Sequence, residues 1–405
     1  MQLKSKIGVI LRLLLNSVLF FLSYMVPKDR KLILLSSSRG ITFRGNPKYF
    51  FLELLTGDYD FNPVWITKDK TIYQSLKRKS LPVVYAYSIS GCLKILRSQY
   101  LIIDDIAKDI LFSHVIMGRF NIIQTTHGIL FKKIGMDIFF DERSTGKKSD
   151  SSLLESVNRR LFIRDYKCYK LIIATSETDG QFRYQAYQNP RIEIVGFPRN
   201  DIFFQKSRYA SGKINTSSPP EEYQTIIVYA PTFRDEVMGI KAFSKKNLQK
   251  LNEHLVKTRS LFMIKRHPLD TSLSLPGKYS NISDDYFDID DIQELLVNTD
   301  ILVTDYSSVF FDFMLTDKPV IFFPYDIEGY LKLCRGLYIS YFEDLPGPFA
   351  KNENELIHLI KTKDLWFSTE IYQDTYKNFK DKFHKYQDGR SGERLARYLF
   401  ESLNK

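Results

Sequence analysis

Residues 301–315 read ILVTDYSSVFFDFML, and this stretch decides the fold class of the chain. Its first five residues are an apolar run that ends in an aspartate, which is typical of a buried strand, and residues 309–315 have a helical pattern. A strand that leads directly into a helix is the repeating unit of a parallel sheet. The stretch therefore predicts one unit of a doubly wound α/β domain.

The same alternation extends outward from this unit in both directions. In the second half of the chain, further apolar runs predict strands at residues 226–230, 261–265 and 320–323. In the first half, the predicted strands are residues 32–35, 64–67, 83–85, 100–104, 121–125 and 171–175, with helical patterns at 48–55 and 89–98. Parallel sheets of this kind bind their ligands at the carboxyl ends of the strands.

A polar stretch separates the two halves. Residues 206–224, KSRYASGKINTSSPPEEYQ, are rich in Ser, Gly and Pro, so they predict an interdomain linker. We therefore expect two Rossmann-like domains, residues 31–205 and 225–405, whose parallel sheets face each other across a cleft.

The first thirty residues predict a separate helix. Residues 7–26, IGVILRLLLNSVLFFLSYMV, are mostly apolar but contain Arg12, and the chain is basic on both sides of them. This pattern favours a helix that lies in the interface of an anionic membrane, on its cytoplasmic side, as in a peripheral or monotopic protein. A helix packed on its own domain and a membrane-spanning helix stay open as alternatives.

The composition of the chain indicates which classes of ligand or surface it can bind. The chain has 405 residues, and 58 Lys and Arg against 47 Asp and Glu give a net charge of +11, which suits an anionic ligand or surface. The basic residues are interspersed with acidic ones, so nucleic acid is not expected. The three cysteines form no CxxC pair, which excludes a cysteine zinc site, and no Walker A loop, GxGxxG, HExxH or GxSxG motif occurs.

Titratable and hydroxyl side chains follow several predicted strands. His127 comes after residues 121–125 and precedes a glycine, where an imidazole suits general base catalysis, although a helix-capping histidine is equally compatible with the pattern. Thr232 and Arg234 lie in a loop that would meet phosphate oxygens, unless Arg234 only pairs with its neighbour Asp235.

Two further segments contain groups that bind anions. Lys265, Arg266 and His267 crowd the end of another apolar run, which favours an anion site over a solvated run of charges. Ser307 and Ser308 precede a helical pattern, where serines cap a helix and the exposed N–H groups bind phosphate.

Together these segments resemble the CDP-glycerol glycerophosphotransferase family, the teichoic acid primases and polymerases. The resemblance is carried by residues 46–49 (NPKY), 127–128, 196–201 (GFPRND), 231–234 (PTFR), 265–268 (KRHP), 304–309 (TDYSSV) with Asp312, 318–320 and 335–336. It implies a GT-B-like pair of Rossmann domains preceded by the N-terminal helix.

The resemblance also implies a reaction. A polyol phosphate would pass from CDP-glycerol or CDP-ribitol to a hydroxyl of a lipid-linked or polymeric acceptor, with release of CMP, in teichoic-acid-like or capsular polymer synthesis. His127 would be the general base, and His267 would serve the donor pyrophosphate or the leaving group. The remaining implied contacts are Thr232, Arg234, Lys265, Ser307 and Ser308 with the donor phosphates, and Thr304, Asp305 and either Asp291 or Glu294 with the nucleotide. No prosthetic group is expected, no metal ligands are identified, and dependence on a divalent metal is left open.

Two other functions stay open at this point. A nucleotide-sugar glycosyltransferase of the same fold would release a nucleoside diphosphate in place of CMP. A non-catalytic, membrane-docked protein that binds polyanions is favoured only by the net charge.

Overall fold

The computed structural model describes residues 18, 21–105, 120–139, 168–187, 190–206, 223–232, 243–265, 275–284, 291–333 and 336–403. The chain forms two compact units. The first comprises Met1–His127, Gly135–Phe204 and Asp388–Lys405, and the second comprises Gly128–Ile134 and Gln205–Gln387.

A seven-stranded parallel sheet forms the centre of the first unit, in the order β3-β2-β1-β4-β5-β6-β7. Its strands are β1 Asp29–Leu35, β2 Asn62–Thr67, β3 Val83–Tyr85, β4 Ser98–Ile103, β5 Asn121–Gln124, β6 Tyr169–Ala174 and β7 Ile192–Ile194. Ile33, Leu34 and Leu35 are all fully buried, because helices cover both faces of a parallel sheet and leave no polar face to alternate with. The predicted strands of this half are confirmed, and β7 is an additional short strand at the edge.

Side-chain caps begin three helices of the first unit, Lys70–Arg78, Ile89–Arg97 and Glu177–Ala186. From residue 29 up to residue 204 the described helices of this unit are α1 Gly45–Thr56, α2 Lys70–Arg78, α3 Ile89–Arg97, α4 Met136–Phe139 and α5 Glu177–Ala186, together with 3₁₀ turns at Ser38–Gly40 and Pro198–Phe203. The hydroxyl oxygen of Ser88 accepts a hydrogen bond from the N–H of Gly91 at the start of α3, at 3.0 Å. Ser176 caps α5 in the same way through the N–H of Asp179.

The second unit contains a five-stranded parallel sheet in the order β10-β9-β8-β11-β12. The strands are β8 Thr225–Ala230, β9 Ser260–Ile264, β10 Ile282–Ser283, β11 Ile301–Thr304 and β12 Val320–Phe322. The four strands predicted here are confirmed, and the two-residue β10 is an addition. The helices are α6 Lys245–Lys257, α7 Ile292–Leu296, α8 Val309–Phe313, α9 Ile327–Leu333, α10 Tyr341–Asp344, α11 Glu353–Lys361, α12 Lys363–Phe367 and α13 Glu370–Phe383, with a 3₁₀ turn at Met314–Thr316.

Both sheets have the strand order 3-2-1-4-5 in their first five strands. The order reverses between the first and the fourth strand, which are β1 and β4 in the first unit and β8 and β11 in the second. In doubly wound sheets the ligand site lies beyond the carboxyl ends of the strands at this reversal. The topology therefore indicates one such edge in each unit.

The unit boundaries differ from the predicted domains in two places. The last helix, α14 Ser391–Leu403, belongs to the first unit, because the carboxylate of Asp201 accepts hydrogen bonds from the N–H groups of Ser391 and Gly392. Residues 128–134 belong to the second unit, where the ring of Phe131 packs on Phe310 with centroids 5.5 Å apart. Of the predicted linker, residues 207–222 lie outside the described residues.

Only the end of the predicted N-terminal helix is described. Residues 18 and 21–25 are helical, and the side chains of Phe21 and Met25 are exposed. Among the described residues, no helix is both long enough and apolar enough to cross a bilayer.

Candidate active site

His127 lies beyond the end of β5, beside the strand reversal of the first unit. The residue is exposed, and its Nδ1 atom is 3.4 Å from the carbonyl oxygen of Asp104, the residue that follows β4. A carbonyl oxygen only accepts hydrogen bonds, so this contact requires the proton on Nδ1 and leaves the lone pair on Nε2. The geometry therefore presents Nε2 as a proton acceptor.

The surroundings keep this imidazole neutral. Desolvation by the surrounding protein lowers the pKa of His127, and the positive charges of Arg199 and Arg183 lower it further, against an opposing effect of Asp105. A histidine with a lowered pKa is unprotonated at neutral pH, as a general base must be.

The buried side chain of Asp104 joins the ends of β1 and β4, the two strands at which the strand order of the first unit reverses. Oδ1 of Asp104 accepts a hydrogen bond of 2.9 Å from the N–H of Ser38, in the loop that follows β1. Burial raises the pKa of Asp104 to about 7, although the bond from Ser38 opposes this shift. The sequence analysis does not predict Asp104 as a site residue. The only feature of the sequence that could have identified it is its position directly after the fourth strand.

The second unit has an equivalent hydrogen bond between the two strands at which its own strand order reverses. Oδ1 of Asp305, directly after β11, accepts a hydrogen bond of 2.8 Å from the N–H of Thr232, in the loop after β8. Lys265 follows the neighbouring strand β9, and its N–H donates to Tyr229. The structure therefore brings Thr232 and Lys265 to the same sheet edge as the loop that starts at Asp305.

Two of the predicted nucleotide contacts, Thr304 and Asp305, are buried and hydrogen-bonded within the second unit. Thr304 is fully buried and its hydroxyl donates to the carbonyl oxygen of Ala230 at 2.8 Å, so it joins β11 to β8. Asp305 is also fully buried, and its carboxylate accepts the N–H groups of Thr232 and Tyr306. Both side chains therefore help to hold the end of β11 and the loop that follows it, and their predicted contact with the nucleotide stays a prediction.

Ser307 and Ser308 are half-buried at the start of α8. Ser308 is the N-cap by position, but its side chain makes no capping hydrogen bond, and the oxygen of Ser307 accepts a bond of 3.4 Å from the N–H of Val309. The predicted capping by Ser308 is therefore wrong, because its backbone does not adopt the extended conformation of a capping residue.

The two acidic candidates near α7 have different environments. Asp291 is buried and caps α7, since its side chain accepts from the N–H of Gln293. Glu294 is half-buried in the first turn of the same helix. Arg234 and His267 lie outside the described residues. Within the described parts of the chain, no three His, Cys, Asp or Glu side chains are grouped as metal ligands.

Comparisons with known proteins agree with this architecture. Residues 18–401 match the profile of the family described as "CDP-Glycerol:Poly(glycerophosphate) glycerophosphotransferase". The chain is 28% identical to a teichoic acid glycerol-phosphate transferase of Staphylococcus aureus over 92% of this chain and 94% of that protein. It is 27% identical to the teichoic acid ribitol-phosphate polymerase TarL of the same organism, over 97% of this chain but only 66% of the polymerase.

A solved structure shows the same fold. The structure of the wall teichoic acid polymerase TagF in its H548A form superposes with a TM-score of 0.75 at 22% identity, covering 100% of this chain and 98% of that chain. The α/β class with two parallel sheets is thereby confirmed, as is the family resemblance that the sequence motifs indicate.

Proposed function

The chain belongs to the CDP-glycerol:poly(glycerophosphate) glycerophosphotransferase family, and from this premise we propose that it transfers a polyol phosphate from a CDP-activated donor to a hydroxyl acceptor. The acceptor is a membrane-linked glycan or polymer chain in the synthesis of a teichoic-acid-like or capsular polymer. The donor is CDP-glycerol or CDP-ribitol; relatives that are named for either polyol resemble the chain about equally.

The observation that carries this proposal is the state of His127. Desolvation lowers the pKa of its imidazole, and its Nδ1 atom faces a carbonyl oxygen. In the proposed reaction the acceptor oxygen attacks the phosphorus that carries the polyol, and its proton passes to Nε2 of His127. The new O–P bond forms as the bond to the bridging oxygen breaks, and CMP leaves with the electron pair.

We assign the donor to the strand ends of the second unit. Thr232, Lys265, Ser307 and Ser308 are hydroxyl and ammonium groups of the kind that bind phosphate oxygens, and Lys265 supplies positive charge. Arg234 and His267 come from the same loops in sequence and complete the proposed phosphate site. Glu294 is the better candidate for the ribose, since Asp291 caps α7.

We further propose that the first unit docks on the cytoplasmic face of an anionic membrane. Ile89, Leu93 and Arg97 lie four residues apart on α3, so they share one face of the helix, and Ile89 is 84% exposed and Leu93 51%. Lys28 donates to the carbonyl oxygen of Leu96 at 2.9 Å, which places the end of the N-terminal helix beside this face. Exposed apolar side chains flanked by basic ones are typical of membrane-surface helices.

The decisive experiment measures CMP release from CDP-glycerol and from CDP-ribitol, with membranes as the source of acceptor. We expect acceptor-dependent CMP from one donor and a loss of about 10²–10⁴-fold in rate for His127→Ala, the usual contribution of a general base. His267→Ala should also lose activity. His358→Ala removes an exposed histidine from α11 and is the matched control that should stay active.

Two results would contradict the proposal and select its alternatives. Release of UDP from a UDP-sugar, without CMP from either donor, would identify a nucleotide-sugar glycosyltransferase. Salt-sensitive binding of an anionic polymer that is unaffected by His127→Ala, with no nucleotide released, would identify a non-catalytic binding protein.

A further inference from the structure

Two motifs of the sequence, residues 46–49 and 196–201, have no role in the reaction as proposed. Each places one buried polar side chain against the loop that carries His127. Asn46 is in the first turn of α1 and is 0% exposed, and Arg199 is in the 3₁₀ turn Pro198–Phe203 and is 6% exposed. Burying such groups is unfavourable unless they make hydrogen bonds, so their partners indicate what they do.

Asn46 binds the backbone just before His127. Its Nδ2 atom donates to the carbonyl oxygens of Thr125 and Thr126, both at 2.8 Å. Its Oδ1 atom accepts a hydrogen bond of 3.2 Å from the N–H of Arg199. Both ends of one fully buried amide therefore join α1, the His127 loop and the second motif.

Arg199 continues this contact to His127 itself. Its Nη1 atom donates to the carbonyl oxygen of His127 at 2.6 Å, and its guanidinium lies 5.4 Å from the ring centroid of Phe197. Side-chain donors thus hold the carbonyl oxygens of three consecutive residues, 125, 126 and 127. These hydrogen bonds can form together only when the loop has this one conformation, because the three carbonyl oxygens must point at donors from two distant segments.

That conformation is strained. Thr126 has φ of 55°, in the left-handed region that a β-branched residue seldom adopts. Strained residues persist only where the surrounding structure determines their position, and they concentrate at functional sites.

We propose that Asn46 and Arg199 are positioning residues, which hold the loop of residues 125–127 in its strained conformation and thereby orient the imidazole of His127 toward the acceptor hydroxyl. The inference deepens the proposed function and rests on the role of His127 in it. Arg199 also acts through its charge, which with that of Arg183 favours the neutral imidazole, while Asp105 opposes both and the carbonyl oxygen of Asp104 contacts Nδ1.

The first test removes the amide. Asn46→Ala should lower kcat for CMP release about 10²-fold with little change in KM, because a misplaced base costs rate and not substrate binding. Hydrogen exchange of the amides of residues 125–128, followed by mass spectrometry, should become faster. Asn46→Asp keeps the shape of the side chain, but a carboxylate cannot donate to the carbonyl oxygens. It should therefore show the same loss of kcat and the same faster exchange, and it replaces the alanine variant in this test if that variant does not fold.

The matched control is Asn281→Ala in the second unit. Nδ2 of Asn281 is also buried and also donates to carbonyl oxygens, those of Ser260 at 2.8 Å and Leu255 at 3.5 Å. This variant should leave kcat and the exchange of residues 125–128 as in the wild type. An equal loss of kcat in this control, or unchanged exchange of residues 125–128 in Asn46→Ala and Asn46→Asp, would overturn the inference.

The second test separates the hydrogen bond of Arg199 from its charge. The pH dependence of His127 modification by diethyl pyrocarbonate, read by mass spectrometry, reports the neutral imidazole without any substrate. Arg199→Met removes a positive charge, so the midpoint should move to higher pH, whereas Arg199→Lys should keep it close to the wild-type value. Both should lower kcat, because neither reproduces the geometry of the guanidinium.

These readouts distinguish the inference from the function on which it rests. If the wild type released CMP from neither donor, the proposed function would fall, while exchange and modification would still show whether the two side chains hold the loop. A midpoint that is the same in Arg199→Met and the wild type would exclude the charge effect of Arg199, and a wild-type kcat in both Arg199 variants would overturn its assignment as a positioning residue.

Discussion

At the scale of single residues, both units have the same hydrogen bond where their strand order reverses. An aspartate directly after the fourth strand, Asp104 or Asp305, accepts the N–H of a residue in the loop after the first strand. The loops that border each ligand edge are thereby tied together by a buried carboxylate. Burial raises the pKa of Asp104, so the titration of this carboxyl has consequences for stability.

Asp104→Asn should reveal this titration. The pKa of the buried carboxyl is raised from 3.8 to about 7, so the folded protein keeps a proton that the unfolded chain releases as the pH rises through this range. The contribution of Asp104 to stability is then complete at low pH and falls by up to about 1.4 kcal/mol per pH unit until the folded pKa is reached. The melting temperature of Asp104→Asn minus that of the wild type should therefore increase from pH 5 to pH 8.

The control for this prediction is Asp58→Asn, which removes an exposed carboxylate. If the difference between Asp104→Asn and the wild type changed with pH no more than that between Asp58→Asn and the wild type, the carboxyl of Asp104 would be ionised at the same pH in the folded and unfolded chain.

At the scale of elements, the C-terminal helix α14 belongs to the first unit because of one carboxylate. Asp201 accepts the N–H groups of Ser391 at 3.0 Å and of Gly392 at 2.8 Å, at the end of the helix where free N–H groups and the helix dipole attract a negative charge. Gly196, with φ of 85°, allows the close approach, since a Cβ atom there would come within 2.4 Å of the Ser391 hydroxyl.

Asp201→Ala should loosen α14 without unfolding the sheets. Loss of a capping carboxylate costs about 1 kcal/mol, so hydrogen exchange of residues 391–403 should become several-fold faster. Glu401→Gln is the control, because it changes an exposed carboxylate at the other end of α14. Exchange of α14 at the wild-type rate in Asp201→Ala would refute the capping role.

At the scale of the whole molecule, the proposed membrane docking combines net charge with exposed apolar surface. The net charge of +11 would attract anionic lipid, and the exposed side chains of Ile89 and Leu93 on α3 would provide apolar area to insert. Long-range attraction of this kind weakens with salt, whereas apolar insertion does not.

Membrane docking is tested by sedimentation with vesicles that contain anionic lipid. Binding should fall with rising salt, and the double variant Ile89→Ser/Leu93→Ser should weaken binding at every salt concentration. Ile371→Ser removes an equally exposed apolar side chain from α13 in the second unit and should have no effect. Equal binding by the double variant and the wild type would exclude α3 from the membrane surface.

The sequence by itself determined the strands of the two parallel sheets, except the short β7 and β10, and the position of His127 at a strand end. These features depend on short apolar runs and on the residues that follow them, which are local in the chain. The strand of residues 301–304 and the position of His127 beyond β5 follow directly from such runs. The family motifs added the reaction class, because their order along the chain is preserved even where each motif alone is weak.

Only the tertiary structure decided how distant polar groups are paired. Asn46 and Arg199 are 153 residues apart and meet at one loop, and Asp201 caps a helix 190 residues later. Thr304 and Asp305 are both buried, and their hydrogen bonds join β11 and the loop after it to β8 and the loop after β8. The physical reason is that a buried polar group must find a partner wherever the packed sheets bring one, and no periodicity records that partner.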